Sequence, residues 1–345
     1  MEAHVANRKY RVGIFGVGET ADWRARALRA AGMEVTAVSA RRGSERLTDF
    51  AARHEIAKQF TDWKAMLDQP NLFDALAVST WPDGTPSVLE AAMELGVPIL
   101  VEKPVAWNSA RLKQLCSRPN SHVIVGYNRR FYRPVQEARR EVLAGPPLLA
   151  QLTLPTQLYV RDGFDPVGRY LQSFFESVSI LGLDLTRFVM GDLTVLHTSR
   201  LKDSDRNLAG FAAVLGTKRG DLVQVTGNFA TSANYSLVLN RPGRRFELLP
   251  FEAATVFAGM EVHLPDAEYP IRRYLPKRAS QISLDDIDLK EKPGFVGEAL
   301  ALLAMIRGEQ PPEFTARLAD ALAVTTICEQ LTGITLGDSN PNLDR

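Results

Sequence analysis

The sequence is poor in the residues that staple or anchor a chain. Two cysteines, Cys116 and Cys328, and five histidines occur in 345 residues. The cysteines lie far apart and in no metal-ligand spacing, which excludes a disulfide scaffold and a cysteine-based zinc site and points to a reducing compartment. No run of about 18 apolar residues is present, which excludes a membrane-spanning helix. The opening stretch MEAHVANRKYRV has no apolar segment of signal-peptide length. Neither sign of charge is in excess, since 41 Lys and Arg face 40 Asp and Glu. That balance gives no argument for nucleic acid or an anionic membrane as partner. The expectation is a cytoplasmic globular protein, with 45% apolar and 23% charged residues and enough length for two domains.

Between Tyr10 and about Val125, short apolar runs alternate with helical patterns. YRVGIF, MEVTAVS, DALAVST, VPILVE and HVIVGY read as strands, and ADWRARALRAAG and PSVLEAAMELG read as helices closed by Gly32 and Gly96. Such alternation predicts a doubly wound parallel sheet covered on both faces. A helix near Pro134–Leu143 closes this half. After Pro147 the rhythm changes to LLAQLTLPTQLYV, LAGFAAVLG, DLVQVTGNFA, YSLVLN and RRFELLP, longer strands joined by turns such as NRPGRR. A helix over Phe174–Met190 and two more, near Phe295–Arg307 and Phe314–Leu331, accompany them. The fold class is therefore α/β, with a Rossmann domain over residues 1–127. An α+β domain with an open, mostly antiparallel sheet is expected over 128–345.

The first strand runs into Gly16, Val17, Gly18, Glu19, Thr20 and Ala21, a G-x-G-x-x-A loop that opens a helix. Glycines there let the backbone approach a pyrophosphate, which the helix N-terminus then holds. The second strand ends in Ala40, Arg41 and Arg42, where an acid would select NAD by binding the ribose 2′-hydroxyl. Two guanidiniums suit a 2′-phosphate instead, so the expected cofactor is NADP(H).

Ligands of doubly wound sheets lie outside the carboxyl ends of the strands. Glu102, Lys103 and Pro104 follow such an end, and the same edge carries Ser79–Pro82 and Gly126–Phe131. Thr80, Trp81, Glu102, Lys103 and Asn128 are thereby candidates beside the cofactor, with Arg129 facing the substrate. The proline restricts the Lys103 backbone to extended form and helps to aim its ammonium. GVGETA, VEKPV, VGYNRRF and the two C-terminal helices, in that order, resemble the glucose–fructose oxidoreductase and inositol dehydrogenase family of NAD(P)-dependent enzymes. The resemblance implies that Lys103 sits between nicotinamide and substrate, where it would hold the oxygen that changes charge as hydride moves.

One motif departs from the family. Members carry Asp-x-Gly-x-His-x-x-Asp on a helix of the second domain. Here ESVSILGLDLTRFVMG keeps Asp184, Arg187 and Gly191, but the histidine position holds Leu181 and the first aspartate position Ser177. His4, His54, His122, His197 and His263 lie in no matching motif. Lys103 acting alone, with its pKa lowered by burial and by Arg129 or Arg130, is one solution. Asp184, Tyr170, Glu176 and Tyr127 are other candidates for the acid.

Residues 231–277 resemble the sheet and trailing loop of members from bacterial surface-polysaccharide and nucleotide-sugar pathways. That likeness implies hydroxyl or phosphate contacts from Asn234, Tyr235, Arg241, Arg244, Arg272, Arg273 and Tyr274, although solubility or subunit contact explains most of them equally. It also implies a homo-oligomer, dimer or tetramer, through packing of the open sheet. Three functions stay open: a sugar or nucleotide-sugar oxidoreductase, an imine or activated-ketone reductase, and a non-catalytic NADP(H)- or sugar-binding relative. No metal site is expected.

Overall fold

A computed structural model of the chain describes residues 9–156, 179–202, 204, 208–229 and 231–337. Two compact units are formed, one from Met1–Phe131, Asp286–Glu329 and Ile334–Arg345, the other from Tyr132–Asp285 and Gln330–Gly333. In the first, strands β1 (Arg11–Phe15), β2 (Glu34–Ser39), β3 (Lys58–Phe60), β4 (Ala75–Val78), β5 (Ile99–Val101) and β6 (Val123–Val125) build an all-parallel sheet. Its order is β3-β2-β1-β4-β5-β6. Every residue of β4, β5 and β6 is buried, which is why these strands read as unbroken apolar runs.

The register decides where the loops go. Phe15 pairs with Ser39 and with Val78, Val78 with Val101, and Val101 with Val125. The carboxyl ends thus stand in one row, and the segments that leave them share one edge. Helices α1 (Glu19–Ala30), α2 (Arg46–Arg53), α3 (Trp63–Leu67), α4 (Thr85–Met93) and α5 (Ser109–Cys116) follow the strands. Asp62 caps α3 by accepting from Lys64 N at 2.9 Å, and Asn108 caps α5 by accepting from Arg111 N at 2.8 Å. Gly32 and Gly96 end their helices at φ +84° and +66°, as a C-terminal glycine should.

The second unit opens with α6 (Arg133–Leu143) and β7 (Leu149–Thr156), then α7 (Ile180–Met190), β8 (Leu193–Lys202), β9 (Leu208–Thr217), β10 (Leu222–Phe229), β11 (Ser236–Arg241), β12 (Arg244–Leu248), β13 (Ala253–His263) and β14 (Arg273–Ser283). Among the described residues its strands run β14-β13-β12-β11-β7-β10-β9-β8, with every pair antiparallel except β7 with β10. Val223 and Val225 are buried while Leu222, Gln224 and Thr226 are exposed, so one face of β10 looks inward and the other outward. Arg139 joins the two helices, lying 4.7 Å from the Phe188 ring centroid and donating to the Phe188 carbonyl.

The expected helix from Phe174 is described only as Ile180–Met190; residues 174–178 lie outside the described set. Strands β3 and β8 were not anticipated, and β13 and the start of β14 fall in 231–277, read only as sheet and trailing loop. β14 and most of β8 are exposed, so they carry no period-2 apolar signal. Gly259, at φ +73°, interrupts the pairing of β13 with β14.

The chain returns to the first unit as α8 (Asp286–Lys290), α9 (Phe295–Ile306) and the larger part of α10 (Leu318–Thr332). A single cut after residue 127 would leave these helices with the second unit. Packing places them otherwise: Phe295, Val296, Ala299 and Leu302 share a core with Val12, Ile14, Ala25 and Leu28. An amphipathic helix goes where its apolar stripe is covered, whatever its neighbours in sequence. No helix among the described residues is long and apolar enough to cross a membrane.

Asp221 anchors the start of β10. Its fully buried carboxylate accepts from Leu148 N at 2.9 Å, Thr217 Oγ1 at 2.7 Å and Arg219 Nη2 at 2.8 Å. Burial pushes the carboxyl pKa up, but these hydrogen bonds and the Arg219 charge together hold it below the usual range. The folded value lies below the unfolded one, so this stability is present above the ordinary carboxylate pKa and is lost as pH falls through the folded value. Asp221→Asn should cost about 1.5–3 kcal/mol at neutral pH. The deficit should shrink in strong acid, and urea unfolding of both forms at neutral and acid pH checks this.

Candidate functional site

The glycine loop leaves β1 with Gly16 at φ +104°. A Cβ there would lie 2.3 Å from the Ser79 carbonyl oxygen, so only glycine fits between β1 and the segment after β4. Gly16 N donates to Ser39 O and Ser79 N to Phe15 O, both at 2.8 Å, which knits three strand ends together. Gly18 is the N-cap of α1, and a Cβ at that position would meet nothing within 4 Å. The loop therefore presents bare backbone to open space at a helix start, where the first N–H groups have no helical acceptor. Ser39 Oγ and Ser79 Oγ, on either side of Gly16, are buried without a hydrogen-bond partner. A glycine cradle at a helix start, with two orphaned hydroxyls beside it, fits a dinucleotide phosphate. Val17 and Thr20 are half-buried and Glu19 is exposed on this loop, while Ala21 is wholly buried and supports α1 from below.

Arg41 and Arg42 are exposed just beyond β2, and neither guanidinium has an ion-pair partner among the described residues. Their turn is held by Ala40 N donating to Phe60 O at 3.0 Å and Ser44 N to Arg41 O at 3.1 Å. Past β4, the hydroxyls of Thr80 and Thr85 hydrogen-bond at 2.8 Å, and Thr85 also donates to the Trp81 carbonyl at 3.0 Å. Thr80 thus secures the start of α4. Trp81 is 59% exposed, resting edge-on against buried Trp107 with ring centroids 6.4 Å apart. It offers an open aromatic face at this edge.

Lys103 follows β5 after one residue, Glu102. Glu102 N donates to Val78 O and Gly126 N to Val101 O, both at 2.8 Å, so the backbone that carries it is tied to β4 and β6. The Glu102 carboxylate is engaged in an ion pair with buried Arg24. Burial is the main influence on the half-buried Lys103 ammonium and lowers its pKa. Glu102 and Glu298 oppose that shift; Arg129 and Lys292 reinforce it. Arg130 is not among these influences, because it turns to Asp320 at 3.3 Å and lies 5.9 Å from the Tyr127 ring centroid. Tyr127 is itself buried. Asn128 donates to Pro293 O at 2.8 Å and so anchors the segment before α9.

In the second unit, α7 carries Leu181 and Asp184. Leu181 is 9% exposed and Asp184 is 1% exposed. A Cβ on Gly182 would meet Leu154 at 2.4 Å and Phe251 and Tyr235 at 3.6 Å, so the helix sits hard against apolar and aromatic side chains here. The Tyr235 and Phe251 rings meet at a tilt of 41° with centroids 5.6 Å apart. Ser179 Oγ, one turn before Leu183, is buried without a partner. Tyr170, Glu176 and Ser177 lie outside the described residues. Several arginines of 231–277 are already engaged: Arg244 pairs with Glu141 at 2.9 Å, Arg241 donates to the Glu141 carbonyl, and Arg273 lies 3.8 Å over the Tyr269 ring and 3.3 Å from Asp266. Asn234 accepts from Tyr235 N at 2.7 Å, while Arg272 and Tyr274 are exposed. Among the described residues no three His, Cys, Asp or Glu side chains are grouped to hold a metal.

Sequence reasoning missed Arg24, Lys292 and Glu298. A signal existed for two of them. Arg24 falls on the buried stripe Ala21, Arg24, Ala25, Leu28, and Glu298 on the stripe Phe295, Glu298, Ala299, Leu302. A lone charge on an apolar stripe requires a buried partner of the other sign.

Residues 10–127 match the family described as oxidoreductase family, NAD-binding Rossmann fold. D-apiose dehydrogenase of Paraburkholderia graminis is 28% identical over 169 residues, which cover 47% of this chain and 45% of that protein. The chain spans less than half the length of the curated relatives it matches. Among solved structures, myo-inositol dehydrogenase of Lactobacillus casei in complex with NAD(H) and myo-inositol superposes with a TM-score of 0.70. It is 15% identical, over 97% of this chain and 99% of that one. UDP-N-acetylglucosamine 3-dehydrogenase of Acidithiobacillus ferrooxidans gives a TM-score of 0.71 at 16% identity, over 95% and 98%. These two likenesses establish the fold.

Two outcomes test the site. Gly18→Ala should leave stability within about 1 kcal/mol, since its φ of −79° suits any residue. It should still weaken dinucleotide binding at least about tenfold by intruding on the phosphate, a change of about 1.4 kcal/mol. Gly16→Ala should instead cost roughly 1–3 kcal/mol of stability from backbone strain alone. Calorimetry of both variants, with and without dinucleotide, separates the two; unchanged affinity in Gly18→Ala would refute the cradle. Lys103→Met should raise the melting temperature at neutral pH. The folded chain gives up the Lys103 proton at lower pH than the unfolded chain, so the wild type gains stability as pH rises from the lowered value toward about 10.4. The advantage of the variant should fade over that interval.

Proposed function

We propose, on the premise that residues 10–127 match the oxidoreductase family with an NAD-binding Rossmann fold, that the chain is an NADP(H)-dependent oxidoreductase of sugars or nucleotide sugars. The observation that carries this reading is Lys103. A half-buried lysine of lowered pKa follows β5, in the same row of strand ends as the glycine cradle. When bound, the nicotinamide exchanges hydride with the substrate carbon. Lys103 then handles the other half of the balance. In oxidation its neutral amine takes the hydroxyl proton as the carbon loses hydride; in reduction its ammonium returns that proton to the forming alkoxide. A lysine of ordinary pKa would seldom offer the amine near neutrality, and burial shifts Lys103 toward that form.

NADP(H) over NAD(H) is supported by Arg41 and Arg42, two exposed guanidiniums where an acid would favour the 2′-hydroxyl. Trp81 gives a flat apolar surface for a ring at the same edge. Action in the cytoplasm fits Cys116 and Cys328, which form no disulfide. Assembly as a homo-oligomer fits the exposed apolar side chains of the second unit, Met260, Val262, Tyr274 and Leu275.

A second reading, a non-catalytic NADP(H)- or sugar-binding relative, draws on Leu181. At the position where the family motif has histidine, this apolar side chain cannot move a proton. Asp184 and Tyr235 remain candidates for substrate contact, Asp184 also for the acid.

Fluorescence titration with NADPH and NADH tests the cofactor. Arg41→Ala should weaken NADPH by about 10–100-fold, the worth of a charge-assisted pair, and leave NADH nearly unchanged. Equal losses for both would refute the 2′-phosphate assignment. With a substrate in hand, Lys103→Ala should lower turnover by roughly 10²–10⁴ while dinucleotide binding persists. Unaltered turnover would remove Lys103 from the chemistry, and the absence of turnover from a broad sugar panel would favour the binding-protein reading.

A further inference from the structure

Arg24 and Glu298 are buried charges that the hydride chemistry does not use directly. Arg24 is 0% exposed on α1 and Glu298 is 1% exposed on α9. Arg24 Nη1 donates to Glu298 Oε2 at 2.7 Å, Nη2 donates to Glu102 Oε1, and the guanidinium carbon lies 4.2 Å from the Phe295 ring centroid. Gly126 makes room for the cluster, since a Cβ there would lie 3.2 Å from Glu102 Oε2 and 3.3 Å from Arg24 Nη2. One guanidinium between two carboxylates leaves an excess of one negative charge in the interior. The residue that follows Glu102 in the chain is Lys103.

We propose that Arg24 and Glu298 are positioning residues for Lys103: they fix the Glu102 carboxylate, and with it the segment carrying the lysine, and their cluster supplies the negative charge that the ammonium completes. Its consequence for catalysis rests on the oxidoreductase reading above. The charges that face Lys103 come from four elements. Glu102 after β5 and Glu298 on α9 favour the ammonium; Arg129 after β6 and Lys292 before α9 disfavour it. Lys292 is held 4.2 Å over the Trp23 ring. Protonation of Lys103 is thus a balance between burial and these four charges, with Arg24 holding both carboxylates in place.

The test is the protonation midpoint of Lys103 itself, read by trace acetic-anhydride labelling across pH and mass spectrometry of the full chain, with exposed Lys290 as reference. Glu298→Gln keeps shape and hydrogen bonding but removes the charge. It should lower the Lys103 midpoint by about half a pH unit or more and leave Lys290 unmoved. Glu298→Asp restores the charge and should bring the midpoint within about 0.3 unit of wild type. An unmoved midpoint in folded Glu298→Gln overturns the proposal, because a merely structural role would not touch it. Should that variant fail to fold, Arg24→Lys decides: it keeps the buried positive charge but loses the fork that holds both carboxylates, so the Lys103 midpoint should move by about half a unit, and an unmoved midpoint overturns the proposal. The labelling needs neither substrate nor cofactor. Failure to bind NADPH would defeat the oxidoreductase reading without altering this result.

Discussion

A guanidinium removed from water cannot be left without carboxylates, and Arg24 sets that constraint on the first unit. Its two partners come from β5 and from α9, elements 78 and 274 residues away along the chain. Removing one side of a buried pair typically costs about 3–5 kcal/mol, a large part of the stability of a domain. The arrangement of α1, the strand edge and the returning helix is therefore not adjustable piece by piece. Lys103 lies at the point where those elements meet, so its surroundings are determined by the same contacts that hold the unit together.

Much of this architecture was legible in the sequence because its signals are local. Parallel strands buried on both faces appear as unbroken apolar runs, and the glycine loop declares itself by needing φ +104° beside Ser79 O. Lys103 at a strand end was legible for the same reason. The rest depends on contacts between distant residues. β8 and β14 are exposed strands whose pattern carries little apolar alternation, and nothing near residue 298 in the sequence refers to α1. Glu102 and Asn128 stand at the expected edge, yet their side chains are turned to Arg24 and to the Pro293 carbonyl. Position along a strand tells which edge a residue occupies; it does not tell which way a long side chain points.

The second unit shows the converse case. Its helix α7 carries Leu181 one turn before buried Asp184, with Leu154, Phe251 and Tyr235 packed beside Gly182. An imidazole brought into such surroundings would need a hydrogen-bond partner to offset its desolvation. The leucine and its apolar neighbours are mutually consistent, as natural packing tends to be.

The span of the Arg24–Glu298 pair has a consequence for biosynthesis. A ribosome adding about 5–20 residues per second needs on the order of 15–55 s to travel from codon 24 to codon 298. During that time the nascent Rossmann sheet holds a guanidinium whose second carboxylate does not yet exist, and the apolar stripe of α1 that α9 will cover is still bare. The first unit to be started is thus the last to be finished. Until α9 emerges, that stripe and that guanidinium stay open to water.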